Sequence, residues 1–474
     1  MRPSLSLAAA LAIAAIVAPA CAELKRAEDA PAAPGEDAGA LDGGDADPGD
    51  GGGTDAIAPP PPDSECPDLD NAWTKATKAR AECASRHVKI VQAAAPIDPT
   101  GISIARTPSG RVGIVFNDEI DGVSGEMHLV HFVPSTPTFS IPPIIKRVKG
   151  PYDHAGFATK IAATGPDTLH VIAHDVDDAT LSGEVVLLRL TGGAEPLSSP
   201  EVVVTGVARP TELGLAVDAA GNTFVTVRVA TGATTAKLSA RKKPAGGAFE
   251  LLPDVTTTLL PAQAPGAGAS SLIVDPSGQV HLLYHHNEVM QHSNPRYHTL
   301  DATVWSYRKT IDNAVIDGLS GFSPRLSVFG NKKFAVFYFR KALQTDPRAD
   351  LRLATWQSSS DMPQIEIVDQ GIPAEEPMLY PAYRVAMDVD KFGLVHLAIL
   401  TPSPRRSIGY LEYRRQTRDG GGAIKWLSDM VDPDVLSELS TAFVDLVVDE
   451  NARPHIAYRS GKDGRVRYAS RYDR

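Results

Sequence analysis

The stretch Ser271-Leu-Ile-Val-Asp-Pro-Ser-Gly-Gln-Val-His-Leu-Leu-Tyr284 decides the fold of this 474-residue chain. An apolar run ends at Asp275, a turn carries Gly278, and a second apolar run brings His281 and Tyr284. Each run has the length and the β-branched and aromatic content of a short strand. The Asp-x-x-Gly step between them suits a tight turn. Asp hydrogen-bonds the backbone two residues on, and Gly accepts a positive φ.

The same unit occurs seven times. Its turn glycines stand at 110, 165, 221, 278, 330 and 393, spaced by 52 to 63 residues, and the seventh copy runs from Leu446 through Asn451 to Tyr458. Two further strands follow most copies. Those of the fourth are read as Ala302–Tyr307 and Lys309–Ile311, and those of the sixth as Gly409–Tyr413 and Lys425–Leu427. Four antiparallel strands repeated seven times give an all-β chain, a seven-bladed β-propeller. The last copy runs out of chain after Arg465–Ala469. Residues 87–92 (His87-Val-Lys-Ile-Val91 and Gln92) are expected to supply its missing strand, because a closed ring leaves no sheet edge exposed.

The residues ahead of the ring read as an export and tethering device. Residues 1–20 have Arg2, an apolar stretch and small residues at Ala18-Pro19-Ala20, the pattern of a secretory signal. Cys21 follows at once and is the expected lipidation site. Residues 21–64 form an acidic, disordered tether. Between 27 and 63 there are eight Asp, two Glu and no Lys or Arg, which is nearly all of the formal charge of −11. The folded part is therefore close to neutral, and no nucleic-acid partner is expected. Cys66 and Cys83 are left as a disulfide pair pinning a short helix within 65–86. The expected location is the outer membrane or cell surface, or else the periplasm or medium. The protein is expected to be a monomer that meets membrane through its lipid alone.

Two groups of residues invite chemistry. The first is the long segment His285–His298 on the top face, read as an oversized loop of blade four. It holds His285, His286, His292, His298, Arg296 and Tyr297, residue types suited to metal ligation or to ligand binding. The second group lies four residues before the bottom turn, about 13 Å above it. The repeat position of Ser271 is assigned there to Lys160, Arg325, Arg384 and Asp445, with Tyr380 and Tyr383 nearby. Converging cations suit an anionic ligand, and the tyrosines suit stacking on sugars. The repeated histidines His170, His281, His396 and His455 are expected to be hydrogen-bonded packing residues. Catalytic residues are not assigned. No cofactor is implied, although a divalent metal fits the four histidines of the loop.

The Asp-x-x-Gly-x-x-His pattern resembles the repeats of secreted bacterial propellers of the BNR or sialidase-like kind, many of them lipoproteins. Their Asp-box, Ser-x-Asp-x-Gly-x-x-Trp, is absent here. The resemblance implies a propeller. It would assign Arg325 and Arg384 to a carboxylate-binding arginine set. His281–Asn287 more distantly resembles the His-rich strand of propeller polysaccharide lyases. The function expected is a surface-tethered propeller that binds a glycan or an envelope protein on its top face and is not an enzyme. The alternatives are a lyase- or sialidase-like enzyme on an acidic polysaccharide, and an envelope scaffold.

Overall fold

The computed structural model of the chain describes residues 88–90, 102–119, 125–133, 144–148, 159–177, 182–192, 198–208, 213–231, 236–259, 270–289, 292–312, 318–341, 348–373, 385–401, 409–436, 443–459 and 466–470. The signal, the tether, the Cys66–Cys83 segment, all three cysteines, and Tyr380, Tyr383 and Arg384 lie outside these residues.

The described residues fold as seven antiparallel blades of four strands each. The innermost strands are Ile102–Arg106, Thr159–Thr164, Leu213–Val217, Ser270–Val274, Gly318–Phe329, Val385–Val389 and Val444–Val448. In blade seven Val444–Val448, Pro454–Arg459 and Val466–Ser470 are joined by Val88–Ile90 as the outermost strand, with Val88 opposite Ala469 and Ile90 opposite Arg467. The ring is thus closed by the chain's own early residues.

Seven apolar clusters hold the blades together, one in each seam between neighbours. Leu282, Tyr284 and Leu300 of blade four pack on Phe224, Leu238 and Leu252 of blade three. Leu283 and Tyr297, on the opposite face of blade four, pack on Leu326, Ala335 and Phe337 of blade five. The period-2 alternation of each strand makes this possible, because successive residues serve opposite neighbours. Each fully buried Leu, Ile or Val contributes about 1.5–3 kcal/mol, so the seams dominate stability.

Two sequence expectations are corrected by register. The segment from His285 to His298 is not a loop. Strands Val280–Val289 and His292–Asp301 form one long hairpin, pairing His285 with Pro295 and His286 with Asn294. The third strand of blade four is therefore His292–Asp301. The stretch read as third and fourth strands is a single fourth strand, Val304–Thr310. This hairpin also pairs in parallel with blade five at Ser293 and Leu319, fusing two blades into one sheet.

The second correction concerns blade six. Its turn is capped by Asp390, not Asp388. Asp390 Oδ1 accepts from Phe392 N and Leu394 N at 2.9 Å each. Four residues before that Asp stands Ala386. Ala386, not Arg384, is the counterpart of Ser271, and Arg384 lies two residues above that level in sequence.

Candidate functional site

Three of the four repeated histidines are absorbed by structure. His281 Nδ1 lies 2.7 Å from the Tyr297 hydroxyl, and its Nε2 lies 3.1 Å from Asp275 Oδ2. Blade six repeats this with His396, Tyr413 and Asp390 at 2.5 and 3.2 Å. Blade seven keeps the bond between His455 Nδ1 and the Tyr468 hydroxyl at 2.6 Å, while Asp449 Oδ2 stands off from Nε2 at 3.7 Å. The same Asp caps the bottom turn through its other oxygen. Burial alone would raise the Asp449 carboxyl. The nearby His455 imidazole and backbone hydrogen bonds from Arg453 and Asn451 more than offset it and bring it down to about 2. Tyr297, expected as a ligand residue, belongs to one of these clasps.

His170 is different. Thr164 stands where the clasp Asp should be, and Leu187 stands where the Tyr should be. Among the described residues neither ring nitrogen has a partner, and burial, with Arg189's charge, pulls the imidazole down to about 4.

The level of Ser271 holds Ser103, Lys160, Gly214, Arg325, Ala386 and Asp445. Lys160, Arg325 and Asp445 sit on blades two, five and seven, no two of which are neighbours. Asp445 works as a latch. Its Oδ2 accepts from Ser103 Oγ at 2.9 Å and from Ile104 N at 3.0 Å in blade one. Ser271 Oγ likewise accepts from Leu326 N of blade five at 3.0 Å. Arg325 is buried and donates to the Pro324 carbonyl.

The blade-four hairpin gathers a different set. Alternation separates its residues: His285 and Tyr297 face blade five, whereas Tyr284, His286, Arg296 and His298 face blade three. Tyr284 stands opposite Arg296 and accepts from it. His298 stacks on Tyr284 at 5.4 Å, His286 meets Tyr284 edge-on at 6.0 Å, and Tyr307 meets His298 at 5.4 Å. The Arg296 guanidinium lies over the Tyr307 ring, which is half exposed. Burial raises the Tyr284 hydroxyl to about 12 against the pull of Arg296. Burial, reinforced by Arg296, brings His286 and His298 down to about 4. At neutral pH this cluster therefore presents a protonated phenol, neutral imidazoles and the Arg296 guanidinium.

Tyr284 and Tyr307 were not singled out as site residues by sequence. Their signal is positional: once 280–301 is known as a hairpin, 284, 286, 296 and 298 share a face. Among the described residues, no group of three or more His, Cys, Asp or Glu side chains is placed to hold a metal ion. The side chain of His292 lies outside them.

No family model and no curated protein matches the chain. Solved structures do resemble it. A protein of unknown function from Dyadobacter fermentans covers 81% of this chain and 97% of its own, at 10% identity and TM-score 0.47. An α-L-arabinofuranosidase from Fusarium graminearum covers 64% and 89%, at 12% identity and TM-score 0.43. A Hadza microbial sialidase covers 73% of each chain, at 9% identity and TM-score 0.41.

Proposed function

We propose that this chain is an exported propeller, tethered to a cell surface through Cys21, that binds a glycan or protein ligand on its top face without transforming it. The observation that carries the reading is the cluster Tyr284, His286, Arg296, His298 and Tyr307 at the upper end of one seam. Aromatic faces, one guanidinium and neutral hydrogen-bonding rings are recognition chemistry. Lys160, Arg325 and Arg384 remain proposed contributors at the channel mouth, with Tyr380 and Tyr383 beside them.

The alternative is a carbohydrate-active enzyme on an acidic polysaccharide. It needs an acid–base group that works near neutral pH. Imidazoles held near 4 are weak bases there, which favours the binding reading.

A glycan array probed with the purified chain, paired with incubation on acidic polysaccharides, tests the proposal. Retention of defined glycans without new products is expected. Release of unsaturated uronate or free sugar would overturn the non-catalytic reading. A His286→Ala/Arg384→Ala double variant that retains every glycan would remove both proposed contact regions. Labelled palmitate incorporated by cells expressing the chain, and lost in Cys21→Ala, tests the anchor.

A further inference from the structure

In an antiparallel blade the turns after the first and third strands lie at one end of the ring, its bottom face. The fourth strand starts there. Within two residues of that start, blades three to six each carry an exposed apolar side chain: Leu251, Val304, Met362 and Ile424. Blades five and six add Phe329 and Phe392 at the turns between their first and second strands. Phe329 reaches across to the blade-six turn, since a Cβ at Gly393 would lie 2.8 Å from its Cδ1. The blade-six turn has no use for Phe392. The same place, two residues after the capping Asp, holds Ala220 in blade three, Ser277 in blade four and Asn451 in blade seven. The bond made there comes from the backbone nitrogen alone in blade six, as in blade seven. Phe392 is 60% exposed and Met362 86%, so each forgoes the gain of burial.

Cations accompany these side chains. Lys391 lies 5.1 Å from the Phe392 ring centre and Lys332 4.9 Å from that of Phe334. Lys425 follows Ile424 and is exposed. Among the described residues, none of the three ammonium groups makes a hydrogen bond or ion pair. The acids at this end of blades five and six are engaged. Asp390 and Asp419 accept from the backbone of their own turns. Asp361 accepts from Ser358 and from Gln357 N, and Glu366 from Trp426 Nε1 at 2.7 Å. The chain also joins the ring at this face. Val88 stands opposite Ala469, beside Ser470, which stands opposite His455 near the bottom turn of blade seven.

We propose that the bottom face of blades three to six docks on an anionic lipid surface. Its apolar side chains sit on separate turns. That arrangement suits a planar, deformable surface better than the single desolvated core of a protein interface. Phe392, Phe329 and Met362 enter the boundary between headgroups and acyl chains, and Lys391, Lys332 and Lys425 meet the lipid phosphates. Docked this way, the ring turns its top face away from the membrane. The sequence reading expects membrane contact through a lipid alone; this face adds a second contact, independent of Cys21 and of what the top face binds.

The chain from residue 22 onward tests this, because it leaves out the apolar leader and Cys21 and keeps every described strand. Its flotation is measured with vesicles of phosphatidylcholine alone and of two parts phosphatidylcholine to one part phosphatidylglycerol, with melting curves and sedimentation alongside. The anionic vesicles should hold it at least about tenfold more tightly than the neutral ones. Lys391→Gln/Lys332→Gln should weaken that binding at least about tenfold, since one lysine near an anionic surface is worth about fivefold. Phe392→Ser/Met362→Ser should weaken it about tenfold as well, and both pairs should melt as the parent does. A parent that floats with neither vesicle would overturn the proposal, as would binding indifferent to both pairs. Binding lost in the lysine pair but kept in Phe392→Ser/Met362→Ser would overturn it in favour of an acidic protein partner. Binding that appears only when residues 27–62 are deleted would overturn it by giving the lysines to the chain's own acidic segment. A dimer that Phe392→Ser dissociates would give the face to a second copy.

Discussion

His281 Nδ1 lies 2.7 Å from the Tyr297 hydroxyl on the adjacent strand of the same blade. With Asp275 on the other nitrogen, the imidazole ties the bottom turn to the third strand. Three blades share the His–Tyr pair, and blades four and six complete it with Asp; the histidines and tyrosines are buried. A buried polar group left without its partner costs about 1–3 kcal/mol.

Breaking one clasp should therefore destabilise the whole ring. Asp390→Ala removes the turn cap and the His396 contact together. The expected loss is about 2–4 kcal/mol, the sum of a lost cap and a stranded imidazole. Tyr413→Phe should lose about 1 kcal/mol. Denaturant unfolding measures both. Equal stability of Asp390→Ala and the parent would show that the clasp is incidental.

His170 should behave in the opposite way, since its ring has no described partner. His170→Leu is expected to stabilise by about 1 kcal/mol, because it removes an unsatisfied buried group. The effect should depend on pH. The unfolded chain takes up the His170 proton below about 6.5, while the folded chain resists to about 4. The neutral ring's contribution is thus full above about 6.5 and is lost as pH falls toward 4. The variant should keep more of its stability than the parent over that window, read from melting temperatures across it. A variant less stable than the parent at neutral pH would refute the account.

Ala452 sits at φ +61° in the blade-seven turn, where blades one, three, four and six place Gly110, Gly221, Gly278 and Gly393 at +75° to +92°. An L-residue in that region costs about 1–2 kcal/mol. Ala452→Gly should raise stability by about 1 kcal/mol, less the added freedom of the unfolded chain. A fall in the denaturation midpoint would contradict this.

Asp445 joins blade seven to blade one beside the closing strand. Asp445→Ala strands Ile104 N and Ser103 Oγ and should cost about 1–3 kcal/mol. Deleting residues 86–93 should cost far more than deleting 27–62, since only the first leaves Val466–Ser470 as an open edge. Comparable melting of the two deletions would mean that closure does not rest on that strand.

Much of the ring was legible because its signals are local. Asp275, Gly278 and the alternating runs around them specify a turn and two strands by steric and hydrogen-bonding preference alone. Where local signals were ambiguous, the reading slipped. Met387-Asp388 and Val389-Asp390 both end an apolar run in Asp, and only the pairing of Asp390 with Leu394 and His396 selects the second. The polar segment 285–298 lacks the apolar alternation of a strand, so it read as a loop. Its extension as a hairpin comes from cross-strand pairing.

By itself the sequence determined the blades, their number and the strand near residue 90 that closes them. These follow from short-range chemistry repeated at a regular interval. Which residues meet across a seam was decided only by the tertiary structure. Side chains alternate between two neighbouring blades, so a shift of one position moves every contact to the other seam. That is why His285 and His286, adjacent in sequence, serve different seams. It is also why the likeness between Tyr284–Arg296 and Tyr458–Arg467 emerges from register and not from motif.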